Sequence, residues 1–489
     1  MRILLAPLDG RPCNLRLPAD LGAVVGADVV VPRGIDLGSV MESADRDALL
    51  SWLDREAPSA DALIVSVDLL VHGGLECARD GRGDREETVR RFERVMEVLE
   101  PHRAKTTLVS VIMRGTPTAS SEAMLPVWEA MGPWNALDGD PDPEAIARRA
   151  VLEERIPSDI LAGWRAARER HHAVNLRLAV EAARGGLADV LFFQDDAAPR
   201  GPHVAETAAL RETAAGRARF LGGTDEACVT LVAAALVKSA PRLPRISVAY
   251  TEPEGADRIG PYEHVPFSTS LVEHAEALGV ALVARDGDAA LVVHPPAAVP
   301  VDLFLDPPPR IDCPNFDGVR AWIDREVSTG APLVAVDARF ANGADIPFAR
   351  EMARLPGGML MGFSAWNTAS NALGTALAHA ALLAVGRLRG TVRPEASLRL
   401  RDERLIEDWL FQSSVRQELR DFCLAEGIDR FAFADRAVEL DARLAKRLAE
   451  AASEELPDAP PFHARFPWAR LFEAEIIILG AAPRRGRRP

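Results

Sequence analysis

The sequence predicts an α/β protein, a (β/α)8 TIM-like barrel over residues 1–390 with a mainly helical C-terminal domain over residues 391–489. Three observations predict it. Short runs of Val, Ile and Leu recur along the chain and are continuous rather than alternating, as in parallel strands buried on both faces. Segments with a 3.6-residue apolar period separate them. The stretch 392–456 is rich in Arg, Glu, Leu and Ala and holds no strong strand.

In chain order, the clear apolar runs are 3–8, 62–68, 107–113, 190–194, 246–250, 289–294, 333–337 and 359–363. Weaker runs at 28–31 and 280–284 are extra strands or replacements for one of these. Helical periodicity marks 87–99, 143–184, 225–238 and 368–388. Such strand–helix alternation is the pattern of an α/β fold, and eight units fit a barrel with long loops. An open doubly wound sheet is the alternative. No GxGxxG follows the first run and no P-loop is present, which removes the two simplest nucleotide-binding readings. Residues 457–461 read as a Pro-rich linker, 475–480 as a last apolar run, and 484–489 as a frayed basic tail.

Composition narrows the function classes. Of 489 residues, 48% are hydrophobic and 26% charged, which are ordinary globular values. The net charge of −15 disfavours nucleic acid as a partner. No apolar run approaches the ~20 residues that span a bilayer, and the first one is too short for a signal peptide. Five cysteines, Cys13, Cys77, Cys228, Cys313 and Cys423, are scattered singly, against a disulfide framework or structural zinc. A cytoplasmic protein is expected, with homo-oligomerisation left open.

In a barrel, chemistry sits at the C-terminal ends of the strands. The first run leads into Asp9, Arg11 and Asn14, which either face a cleft or form a turn with an internal Asp–Arg pair. The second leads into Asp68, His72 and the pair Gly73-Gly74, where backbone can approach a ligand. The third leads into Arg114, which needs an anionic partner if buried. The fourth ends in Asp195-Asp196. Two nearby carboxylates push their proton affinities apart, so one can act as an acid while the other is ionised. A helix cap plus an exposed neighbour is the bland account.

The segment Gly222-Gly223-Thr224-Asp225-Glu226 reads as a capped helix start, with a ligand or base role for either acid as the alternative. Tyr250 ends a further strand, Asp337, Arg339, Asn342 and Asp345 follow another, and Trp366, Asn367 and Asn371 follow the last. Thr368 is a candidate cap for the final helix. This set suits a small neutral polyol such as a sugar, with no cofactor. A Mg²⁺ or Mn²⁺ hydrolase built on Asp9, Asp68, Asp195, Asp196 and His203 is the second reading. A non-catalytic sugar-binding protein is the third. The absence of GxSxG leaves a nucleophilic triad unsupported.

The motifs PLDxRPxN, SVDLLVHGGL, QDDAAPRG, GGTDEA, DARFANGAD and AWNTASNALGTALAHA together resemble a bacterial family of unknown function with chains of about this length. More distantly, the Asp-Asp strand end resembles substrate-assisted β-N-acetylhexosaminidases of the O-GlcNAcase-like kind. That resemblance implies a retaining glycosidase in which Asp195 orients the 2-acetamido group and Asp196 is the acid and base. Tyr250 and Asn367 would support the acetamide. Asp337, Arg339, Asn342 and Trp366 would bind hydroxyls and the ring face. The additional Asp9-Arg11-Asn14 cluster and the helical C-terminal segment depart from that pattern.

Overall fold

A computed structural model describes residues 1–309 and 316–480. Cys313 and the tail 484–489 lie outside the described residues. The chain forms two compact units. The first comprises Met1–Ala19, Ala27–Val232 and Tyr262–Val265; the second comprises Asp20–Gly26, Ala233–Pro261 and the chain from Pro266 onward.

The first unit is built on six strands: β1 (Arg2–Ala6), β2 (Asp28–Val30), β3 (Ala62–Ser66), β4 (Thr106–Ile112), β5 (Asp189–Gln194) and β6 (Arg219–Gly222). They pair in the order β2-β1-β3-β4-β5-β6, all parallel. Leu4, Leu63, Val65, Leu108, Val190 and Phe192 point into one core with Leu53, Phe92, Val95 and Leu178 from the covering helices. Asp45 and Asp84 start two of those helices by accepting the backbone N–H of Ala48 and Glu87. Between β4 and β5 the chain makes a helical excursion with its own small core around Met131, Trp134 and Trp164. The periodic stretch 143–184 divides there into Pro143–Glu153 and Ser158–Arg184. Pro157 accounts for the break, since its ring disfavours helical backbone before it.

The second unit has five parallel strands: β7 (Arg245–Tyr250), β8 (Ala281–Val283), β9 (Ala289–His294), β10 (Leu333–Asp337) and β11 (Leu360–Ser364). Their order is β11-β10-β9-β7-β8. Residues 391–480 belong to this unit, so the boundary expected at 390 falls inside it. They supply helices and an antiparallel hairpin, β12 (Phe462–Arg465) and β13 (Glu475–Ile478). Helix Ala369–Arg389 is capped by Thr368, as expected. It is long and apolar enough by composition to cross a membrane, yet 94% of its apolar window is buried. It packs on β7, β9, β10 and β11 as a core helix.

The expected α/β class and parallel strands are present, but among the described residues the strands form no closed barrel. All eight clear runs and both weaker ones are strands, divided among two open sheets. A doubly buried parallel strand has the same composition in either setting, so the runs alone could not distinguish closure from two sheets with free edges.

Candidate active site

Each sheet gathers polar side chains at the C-terminal ends of its strands. In the first unit the chain leaves β1 for β2 on one side and reaches β3 on the other. Ligands of open parallel sheets bind beyond the strand ends at such a reversal. Arg11, just after β1, donates from Nε to Asp9 Oδ2 (2.9 Å) and from Nη1 to Asp225 Oδ2 (3.1 Å). Asn14 Nδ2 reaches Asp9 Oδ1 (3.0 Å) and Asp225 Oδ1 (3.3 Å). The internal Asp–Arg pair is therefore real, and Asp225, read from sequence chiefly as a helix start, completes it. Burial pushes Asp225 up, against the pull of Arg11.

After β3, residues Asp68–His72 form a π-helical turn, a local feature often found at functional sites. Asp68 is fully buried, accepting from Val111 N (3.0 Å) and contacting His171 Nε2 (2.8 Å). His72 stacks on His171 at 4.8 Å. Burial, with His171 beside it, holds His72 well below its ordinary range, so it is neutral.

Asp195 and Asp196 follow β5 directly. Asp195 Oδ2 is paired with Arg79, whose Nη1 also binds Glu76 (2.7 Å). Asp196 Oδ2 accepts from Arg114 Nη1 (2.9 Å). Arg114 thus finds its anion in Asp196. Among the described residues, Oδ1 of each aspartate has no protein partner. Asp196 has φ of 40°, an unusual backbone for a side-chain-bearing residue. Burial pushes its carboxyl up to about 6, against Arg114 and with a further push from Asp195.

In the second unit Asp337 ends β10 and is fully buried. It accepts from the backbone N–H groups of Arg339 (3.0 Å) and Asp345 (2.7 Å). Burial raises it to about 7, opposed by His294 and reinforced by Asp345. Arg339 Nη1 binds Glu252 Oε1 (2.6 Å). Asn342 has φ of 60° and donates from Nδ2 to Asp302 Oδ1 (2.8 Å). Its N–H reaches the carbonyl of Asn367, itself at φ 66°. The loops are clamped by a π-helical segment, Leu405–Val415. Asp408 Oδ2 accepts from Ala365 N (2.8 Å) and Ser413 Oγ donates to Ala344 O (2.8 Å).

Other expectations change here. Trp366 is buried and meets Phe472 edge-on at 6.3 Å, so it is no open platform for a sugar ring. Its Nε1, Asn342 Oδ1 and Arg339 Nε are buried polar atoms without a protein partner among the described residues, and such atoms call for water or a ligand. Tyr250 is partly exposed, and burial raises its hydroxyl to about 12. Asn371 is buried in the first turn of the capped helix.

Among the described residues no three His, Cys, Asp or Glu side chains are arranged to hold a metal ion. Asp9, Asp68 and Asp195 are each engaged by Arg or His, and His203 Nε2 lies 2.8 Å from the Ala198 carbonyl oxygen, so the set offered for Mg²⁺ or Mn²⁺ does not converge. Sequence reasoning missed Glu76, Arg79, His171, Thr251 and His294. Only His294 carried a signal, as the last residue of an apolar run.

No curated protein and no solved structure matches the chain. One family model matches residues 3–477, and the chain belongs to that family, DUF4127, proteins of unknown function.

Proposed function

We propose that the chain is an acid–base enzyme of the glycoside hydrolase kind, acting on a 2-acetamido sugar by substrate assistance. The observation that carries this reading is the state of Asp195 and Asp196. Each gives one carboxylate oxygen to an arginine and, among the described residues, keeps the other without a protein partner. A proton donor works best with an affinity near the operating pH, and Asp196 at about 6 meets that need. In the proposed step the acetamide oxygen attacks the anomeric carbon. Asp196 gives its proton to the departing oxygen, then takes one from the water that opens the ring intermediate. Asp195, fixed by Arg79, accepts the acetamide N–H through Oδ1. The reading rests on the paired acids and not on the scaffold.

The test is a panel of aryl glycosides, with and without the acetamido group, each run with and without chelator. Turnover restricted to acetamido sugars, insensitive to EDTA and reduced about 10²–10⁴-fold by Asp196→Asn, is expected. Loss of turnover with EDTA and recovery with Mn²⁺ would replace it with a metal hydrolase. A second reading, sugar binding without turnover, is favoured by the partnerless Asn342 Oδ1, Trp366 Nε1 and Arg339 Nε. Thermal stabilisation by sugars with no turnover of any aryl glycoside would select it.

A further inference from the structure

The second sheet carries a constellation that the proposed reaction does not use. Its strand order reverses at β7, from which the chain goes to β8 on one side and β9 on the other. That is the position where open parallel sheets bind ligands. Thr251 follows β7 and His294 ends β9. Thr251 Oγ1 lies 2.6 Å from His294 Nδ1, and His294 Nε2 lies 3.0 Å from Asp345 Oδ2.

The carboxylate fixes the tautomer. Facing Asp345, Nε2 carries the hydrogen, which leaves the lone pair of Nδ1 aimed at the threonine hydroxyl. The ring is held by stacking on Phe348 at 4.6 Å. Asp345 is positioned in turn by its backbone N–H to Asp337. His294 and Asp345 are buried, whereas Thr251 is partly exposed. A nucleophile bonded to a base, and that base bonded to an orienting acid, is the geometry that activates a hydroxyl. A donor is also at hand. Arg339, anchored through Nη1 to Glu252, the residue after Thr251, has a buried Nε–H with no acceptor among the described residues.

We propose that Thr251, His294 and Asp345 form a nucleophilic site for an activated carboxylic ester. Thr251 Oγ attacks the carbonyl carbon and its proton passes to His294 Nδ1. The carbonyl pair moves onto oxygen, forming the oxyanion that Arg339 Nε lacks as a partner. The pair returns, the bond to the leaving oxygen breaks, and His294 protonates the departing alcohol. Water then adds to the acyl-Thr251 carbon, gives its proton to His294, and Thr251 leaves with that proton. The sum is ester plus water to acid plus alcohol. Asp345 is a positioning residue that stabilises the charged imidazole.

The test uses the full chain and a fluorophosphonate probe. Thr251 Oγ bonds to phosphorus, fluoride leaves, and the proton passes to His294. Intact mass and peptide mapping are expected to give one adduct at Thr251, retained in Thr251→Ser and lost in Thr251→Val. His294→Gln, folded by circular dichroism, is expected to slow labelling by about 100-fold or more. Should that variant not fold, Asp345→Asn supplies the same comparison, with a slowing of about 10-fold or more through the wrong tautomer. Absence of an adduct at Thr251, or equal labelling rates in the parent and a folded His294 or Asp345 variant, overturns the proposal. It would then leave the three side chains as a structural hydrogen-bond chain. Neither outcome depends on the aryl glycoside panel.

Discussion

The two sheets share one strand order yet hold their paired strand-end acids with different partners. Strands β2-β1-β3-β4-β5 and β8-β7-β9-β10-β11 trace the same path, with a reversal beside the first strand of each unit. Each unit places a carboxyl of raised proton affinity beside a second acid: Asp196 beside Asp195, and Asp337 beside Asp345. In the first unit Arg79 and Arg114 hold Asp195 and Asp196, and Arg11 holds the further pair Asp9 and Asp225; guanidinium groups stay charged at any physiological pH. In the second the partner is His294, whose ring joins Asp345 on one side and Thr251 on the other by hydrogen bonds. The first arrangement sets acids against fixed charge, and the second links them in a chain of hydrogen bonds.

That contrast predicts unequal costs of breaking it. Arg11→Ala removes the cation from two buried carboxylates, Asp9 and Asp225, and is expected to destabilise the protein by about 3–5 kcal/mol. His294→Gln leaves two hydrogen bonds unmade and is expected to cost about 1–3 kcal/mol. Urea unfolding of both variants measures the difference. Equal losses would erase the distinction between acids held by fixed charge and acids held by hydrogen bonds.

Next in size is the effect of pH. Asp337 binds its proton more tightly when folded, at about 7 against an ordinary value of 3.8. Between those values the native chain holds a proton that the unfolded chain has lost. Its contribution to stability is therefore complete below about pH 4 and disappears as pH rises through 7. The slope from this group is at most about 1.4 kcal/mol per pH unit. Asp337→Asn is expected to remove it, while the same-signed slope from Asp196, ending near pH 6, persists. Chemical denaturation at a series of pH values, with an unchanged slope in the variant, would assign the titration elsewhere.

How much of this was legible depended on sequence distance. Local pattern revealed the buried strands, the Thr368 cap and the Asp195-Asp196 corner, because each is written in adjacent residues. It did not reveal β6, a four-residue strand whose first two residues are only partly buried. Sheet closure is hidden for a related reason, since it depends on which strands pair and not on what each contains. The site partners were hidden the same way. Arg79 meets Asp195 across 116 residues and Arg11 meets Asp225 across 214. No spacing rule reaches that far, and the repeated topology shares no period because a helical excursion separates β4 from β5. The Thr251–His294–Asp345 chain matches no sequence motif because its members belong to the ends of three different strands.

The smallest effect concerns backbone. Both units place residues other than glycine in left-handed backbone at strand ends: Asp196 at φ 40°, and Asn342 and Asn367 at 60° and 66°. Asp and Asn tolerate this region better than other side chains, and branched residues do not. Asp196→Asn is therefore expected to change stability by less than about 0.5 kcal/mol, and Asp196→Val to cost about 1–3 kcal/mol through strain. Thermal and urea unfolding of the pair decide it. A near-neutral Asn variant makes any loss of turnover chemical and not structural. A Val variant as stable as the parent would mean that the loop relaxes and that the position of Asp196 is not enforced by its backbone. The geometry that its proposed role as a proton donor requires would then have to come from Arg114 alone.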